Sequence, residues 1–158
     1  MRSDECFTTE GAYHRCVVVA SYWGRTSVTA IRPMHHDVGK GRSVLLVEDE
    51  ILLRIVLAEN LRDDGWHVVE AATASEALDI LRSSTFAVML TDVHMPGGLT
   101  GLDLAREIRK TWPDLPVVVM SALFGPETVE RLPYDAFLMK PVVDVSSALT
   151  AVIVARQG

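Results

Sequence analysis

Cysteine is almost missing from this chain: Cys6 and Cys16 are the only two in 158 residues. Both precede the part with regular patterning, so neither a disulfide framework nor a thiolate zinc site can be built there. Long hydrophobic runs are missing too. No stretch approaches the roughly 18–20 apolar residues of a membrane span. The N-terminus lacks the basic start, apolar core and small-residue cleavage site of a secretory signal. The expectation is a cytoplasmic protein with no membrane contact. Basic clusters are also absent. Residues 1–43 hold six Lys/Arg and four Asp/Glu, a balance of +2, whereas residues 44–158 hold nine and seventeen, a balance of −8. An acidic domain without a basic stripe is a poor candidate for direct nucleic-acid binding.

What is present is apolar and regular. Hydrophobic residues make up 49% of the chain, enough for the core of one domain. Regular patterning starts at Ser43, which divides the chain into an extension, 1–42, and a domain, 43–158. Within the extension, Cys16 to Tyr22 has the composition of a strand and Trp23-Gly24-Arg25 that of a turn. Two readings stay open for it: a poorly ordered arm, or residues upstream of a true start at Met34. Gly39 to Ser43 reads as a linker.

The domain alternates strands and helices. Val44 to Val47 is a β-branched run ending in Glu48-Asp49-Glu50. A helix over about 50–63 follows, with Leu53, Val56, Leu57 and Leu61 at i, i+3, i+4 and i+8 as its buried stripe. Asp64-Gly65 ends it. Trp66 to Val69 is the second strand. Thr73-Ala74-Ser75-Glu76 has capping-box spacing and opens the second helix, to about Ser83. Phe86 to Thr91 is the third strand and Gly101 to Lys110 the third helix, with Leu104, Ala105 and Ile108 inward. Val117 to Met120 is a fully apolar fourth strand ending at Ser121-Ala122. The fourth helix is squeezed between Pro126 and Pro133, so it is short. Ala136 to Met139 is the fifth strand, ending in Lys140-Pro141. The last helix, from Asp144 to Ala155, turns Val145, Leu149, Val152 and Ile153 inward. Strands that are apolar throughout, alternating with helices, predict an α/β fold. Its five-stranded parallel sheet is covered by helices on both faces, in the flavodoxin-like order 2-1-3-4-5.

In that order, the polar residues after strands one, three, four and five meet on one rim. They are Glu48 and Asp49, Asp92, Ser121 and Lys140. Three carboxylates gathered there repel by about 4 kcal/mol per pair at 4 Å and an effective dielectric of ~20. A hard divalent cation relieves this, and Mg2+ suits it because it accepts a few carboxylates, waters and phosphate oxygens. A carboxylate beside such a cation is a nucleophile towards phosphorus, and Lys140 and Ser121 complement phosphoryl oxygens by charge and hydrogen bonding.

Four motifs carry a resemblance. They are Val44-Leu-Leu-Val-Glu48-Asp49-Glu50, Thr91-Asp92-Val-His-Met-Pro96, Val118-Val-Met-Ser121-Ala122 and Phe137-Leu-Met-Lys140-Pro141. In this order, each at the end of a predicted strand, they are specific. Residues 43–156 resemble the receiver domain of bacterial two-component response regulators, the CheY-like superfamily. The resemblance implies that Asp92 is the phosphoacceptor. It assigns the metal to Asp49 directly, to Glu48 through water, to Asp92 and to the main-chain carbonyl of His94. Ser121 matches the switch hydroxyl, Lys140 the phosphate-pairing lysine and Phe137 the aromatic that changes rotamer. Ala122 is small, as in the family. For several positions a plainer role fits as well: Ser121 as a turn residue, Phe137 as core, and the His94 side chain as a solvent-facing loop residue.

The implied function is a stand-alone receiver. A histidine kinase or histidine phosphotransferase phosphorylates it, and it signals through a downstream protein or serves as a phosphate sink. Any enzymatic activity is limited to slow self-dephosphorylation. The loop from Pro96 to Gly101 is one residue longer than the commonest family form. Ala148, Val152 and Val154 on the last helix suggest an apolar partner or homodimer face. Leu52 and Ile55 on the first helix suggest a surface that docks on a kinase. Two other readings exist: a pseudo-receiver acting without phosphate, and a Mg2+-dependent phosphohydrolase. Haloacid-dehalogenase-like enzymes of the second kind carry an aspartate two residues after the nucleophile, where this chain has His94.

Overall fold

The computed structural model describes residues 17–19, 42–95, 98–123 and 134–158. Its strands are β1 (Val17–Val19), β2 (Ser43–Val47), β3 (His67–Ala71), β4 (Val88–Asp92), β5 (Val117–Ser121) and β6 (Ala136–Met139). Its helices are α1 (Ile51–Asp63), α2 (Ala74–Ser83), α3 (Gly101–Thr111) and α4 (Val145–Gln157). The sheet runs β1-β6-β5-β4-β2-β3 and every pairing is parallel. Counted from Ser43, its five strands have the expected order 2-1-3-4-5. The backbone of β1 extends the sheet beyond β6, with Val18 opposite Phe137. The expected fourth helix, and the rest of the expected strand from Cys16 to Tyr22, lie outside the described residues.

Side chains alternate across the sheet, and each face makes its own core. Leu45, Val47, Met89, Val117, Val119 and Phe137 pack against Ala77 and Leu81 of α2 and Leu104, Ala105 and Ile108 of α3. Val44, Leu46, Val88, Leu90, Val118 and Leu138 pack against Leu57, Ala58 and Leu61 of α1 and Leu149 and Val152 of α4. Burying each of the larger side chains among them contributes about 1.5–3 kcal/mol, so the two layers together supply most of the drive to fold.

Local signals set the helix ends. At the end of α1, Gly65 takes a φ of 84°, and the N–H groups of Gly65 and Trp66 donate to the carbonyls of Arg62 and Leu61. At the start of α2, Thr73 Oγ1 accepts from Glu76 N as its spacing predicts, while the Glu76 carboxylate reaches back to Ala72 N. The full reciprocal box is at α3. Thr100 Oγ1 accepts from Asp103 N at 3.2 Å, and Asp103 Oδ2 accepts from Thr100 N at 3.1 Å. The aspartate in place of the usual glutamate hid this box from the sequence reading. At the opposite end of α3, Asp135 accepts from Arg109 at 2.6 Å and from Arg156 of α4 at 2.7 Å, and also from Val117 N.

Two expected faces turn out differently. Val56 of α1 is 54% exposed, and Ala58 is fully buried in its place. The small Ala58 lets α1 lie close to the sheet, which rotates Val56 outward beside exposed Ile51, Leu52 and Ile55. On α4, Ala148 and Val152 are core residues at 5% and 3% exposure, leaving Val154 alone outside. The expected apolar homodimer face on the last helix is therefore corrected, because the residues meant to form it fill the contact between α4 and the sheet.

The hydrogen bonds from Thr100 hold the Asp103 carboxyl below its ordinary value of 3.8, with Arg106 adding to the effect. A depressed carboxyl stabilises the fold above that value and loses its contribution as pH falls through the folded value. Asp103→Asn is therefore expected to lower the urea midpoint at pH 7. The gap from wild type should close below about pH 4, as read by circular dichroism across pH.

Candidate functional site

The parallel order brings the carboxyl ends of β2, β4, β5 and β6 side by side. Each presents a polar residue there, in its last position or directly after it. Glu48, directly after β2, is buried to 1% exposure, Asp92 at the end of β4 to 8%, and Ser121 at the end of β5 to 0%. Lys140 follows β6, and its N–H donates to the Ser121 carbonyl at 2.9 Å, so the ladder carries it to the rim. The Lys140–Pro141 peptide is cis.

The Lys140 ammonium donates to Asp92 Oδ2 at 2.5 Å and to Glu48 Oε2 at 2.8 Å. Asp92 Oδ1 accepts from the main-chain N–H of His94, and Glu48 Oε1 from that of Glu50. Burial pushes the Glu48 carboxyl above its ordinary range and the nearby Asp92 adds to this, while Lys140 and the Glu50 N–H pull against it. Burial disfavours the Lys140 ammonium, but its hydrogen bonds to Asp92 and Glu48 and their charges outweigh that and raise its pKa.

Oxygen atoms of Glu48, Asp49 and Asp92 all lie within 4.8 Å of one another. Among the described residues, Lys140 pairs with two of the three carboxylates, so the cluster is short of positive charge. Asp49 is half-buried and forms no ion pair among the described residues. A hard divalent cation that prefers oxygen donors fits this set, and Mg2+ meets both conditions.

The remaining expected residues fall around this centre. His94 and Ala122 are exposed beside it. The Ser121 hydroxyl accepts from Leu123 N at 3.2 Å, the turn bond of the plainer reading. Phe137 is 2% exposed within the core on the α2–α3 face. By strand alternation it shares that face with Ser121.

Sequence reasoning passed over two residues. Arg54, on the second turn of α1, donates to the Glu48 carbonyl at 2.6 Å and the Asp49 carbonyl at 3.4 Å. Its position just past the acid pair was the available signal. Gly101 opens α3 against the strand that carries Asp92. A Cβ there would stand 1.8 Å from the Asp92 carbonyl oxygen and 2.9 Å from Thr91 Oγ1. In the sequence, the glycine after the Pro96 loop marks only a helix start.

A doubly wound parallel sheet with an acid cluster and a lysine on its carboxyl rim defines a class of phosphate- and metal-handling α/β domains. Residues 44–152 match the family described as "Response regulator receiver domain", and the chain belongs to that family, the receivers of two-component systems. The transcriptional regulatory protein PdtaR of Mycobacterium tuberculosis is 37% identical over 109 residues, covering 66% of this chain and 52% of that protein. The sensor kinase CckA of Brucella abortus is 37% identical over 110 residues, 66% of this chain and 12% of its own length. The match thus spans only part of these curated relatives. Among solved structures, the chemotaxis response regulator CheY4 of Vibrio cholerae superposes with a TM-score of 0.65 at 27% identity, covering 70% of this chain and 98% of its own. TrrA of Thermotoga maritima, solved in complex with Mg2+ and BeF, gives 0.62 at 26% identity, covering 70% of this chain and 96% of its own.

The Gly101 contact is with main chain, which cannot swing aside. Gly101→Ala should push α3 off the end of β4 and destabilise the protein by about 1–3 kcal/mol, measured by urea unfolding. A wild-type midpoint would show that the helix shifts freely.

Proposed function

We propose that this chain is a phosphorylatable receiver. A histidine kinase or histidine phosphotransferase donates a phosphoryl group to Asp92 in the presence of Mg2+, and a downstream protein reads the result. The observation that carries this is the ammonium of Lys140 bridging Asp92 and Glu48 beside an Asp49 that has no ion pair among the described residues. The complex of TrrA with Mg2+ and BeF supports the same assignment.

Glu48, Asp49, Asp92 and the main-chain carbonyl of His94 would hold the metal. Bound there, Mg2+ supplies the charge that offsets the carboxylates and a seat for phosphoryl oxygens. One oxygen of Asp92 attacks phosphorus, the P–N bond of the donor phosphohistidine breaks, and the imidazole leaves with its electron pair. The His94 N–H and Lys140 fix the orientation of the Asp92 carboxylate, so little reorganisation is needed. After transfer, Lys140 pairs with a phosphoryl oxygen. The added charge, about −1.5 to −2 at neutral pH, draws in the Ser121 hydroxyl, which exchanges its bond from Leu123 N. Phe137 follows into the space vacated and shifts the output face.

The donor docks on α1. Ile51, Leu52, Ile55 and Val56 are 60%, 69%, 47% and 54% exposed, an aliphatic face that begins beside the acid pair. The domain's negative balance argues against direct nucleic-acid binding. Among the described residues no helix is long and apolar enough to cross a membrane; the scarcity of cysteine fits a reducing cytoplasm as the site of action.

Incubation with acetyl phosphate and Mg2+ should add one phosphoryl group by intact mass. Asp92→Asn, or removal of Mg2+ with EDTA, should abolish the addition. If neither acetyl phosphate nor any member of a kinase panel labels Asp92, the phosphate-independent binding module replaces this reading. In a kinase reconstitution, Leu52→Ser with Ile55→Ser should slow transfer at least about tenfold while acetyl phosphate labelling persists. Equal loss in both assays would place the damage in the site rather than in docking.

A further inference from the structure

We infer that Arg54 is a positioning residue for the acid pair, acting as a clamp on the main chain that carries Asp49. The inference rests on reading the cluster as a Mg2+ site. Arg54 sits one turn into α1, with only 15% of its side chain exposed. Its guanidinium spans the turn between β2 and α1, with Nη1 at 2.6 Å from the Glu48 carbonyl and 3.4 Å from the Asp49 carbonyl. On its other side, Nε lies 3.6 Å from Glu70 Oε2 on β3. Glu70 in turn takes a 2.7 Å bond from Arg62, one helical stretch further along α1. The turn bearing the acid pair is thus tied to the neighbouring strand and to its own helix through one fork-shaped cation.

The choice of atoms matters. Arg54 donates to carbonyl oxygens and leaves every carboxylate lone pair of the pair available. Lys140 already fixes the Glu48 side chain, and the His94 N–H and Lys140 fix Asp92. Asp49 has no side-chain hydrogen bond or ion pair among the described residues, so its carboxylate is aimed only by the main chain beneath it. Among the described residues, Arg54 is the side chain that hydrogen-bonds the Asp49 main chain. Removing a group that orients a metal ligand typically weakens metal binding by about tenfold to a hundredfold.

A clamp and a bare charge predict opposite signs. A guanidinium near the site repels a divalent cation, so if charge were its whole role, removing it would tighten Mg2+ binding. If it orients Asp49, removing it loosens binding. Lysine at this position keeps the charge but is a point donor: its one nitrogen cannot hold the carbonyls and Glu70 together, as the guanidinium does through Nη1 and Nε.

The test is calorimetric titration of MgCl2 into the full chain stripped of metal, with urea unfolding in EDTA alongside. R54M should raise the dissociation constant for Mg2+ about tenfold or more, and R54K should raise it to a similar degree despite its charge. E70Q, which leaves Arg54 in place but unanchored, should raise it by a smaller factor with a near-native urea midpoint. Unchanged or tighter binding in R54M and R54K overturns the inference. Should R54M fail to fold, R54K decides the matter alone. A wild-type chain that binds no Mg2+ overturns the reading of the site and this inference together, whereas wild type and variants binding equally overturn the inference only.

Discussion

Like charge crowded at the end of a parallel sheet is the constraint on which the rest of this molecule depends. Glu48, Asp49 and Asp92 share a space under 5 Å across, where each pair of anions costs about 4 kcal/mol at an effective dielectric of ~20. Several features of the chain bear on that repulsion. Lys140 lies between two of the carboxylates, main-chain N–H groups from the following turns face them, and Arg54 braces the turn from behind. The parallel topology is what makes this possible, because it delivers the ends of four strands to one rim.

Much of this was legible in the sequence, and the reason is physical. A strand buried on both faces must be apolar throughout, so Leu45, Met89, Val118 and Leu138 mark the sheet without ambiguity. A charged residue that directly follows such a strand can only sit on the rim. The positions of Glu48, Asp92, Ser121 and Lys140 were therefore readable once the strand order was inferred. Their convergence on a common centre needed the topology but no side-chain detail.

What was not legible depends on distances of an ångström or less. Whether Val56 or Ala58 faces the sheet turns on how closely α1 can approach, and a hydrophobicity pattern does not encode approach. The same holds for α4, where the inward stripe omits Ala148 and the structure buries it in the core. Arg54 reads as an ordinary helical arginine until its contact with two carbonyls is seen. Gly101 reads as a helix start until the Asp92 carbonyl is found against its α-carbon. The box at Thr100 escaped because its carboxylate is one methylene shorter than the usual partner.

The ion cluster of Arg109, Asp135 and Arg156 lies at the far end of the sheet from the acids, and it ties the last turns of α3 and α4 together. The first turns of these same helices adjoin the rim: α3 abuts Asp92 through Gly101, and α4 begins five residues after Lys140. A rod pinned at one end and pushed at the other swings instead of sliding. Any displacement imposed at the rim would therefore reach α3 and α4 as rotation about their shared tie at Asp135.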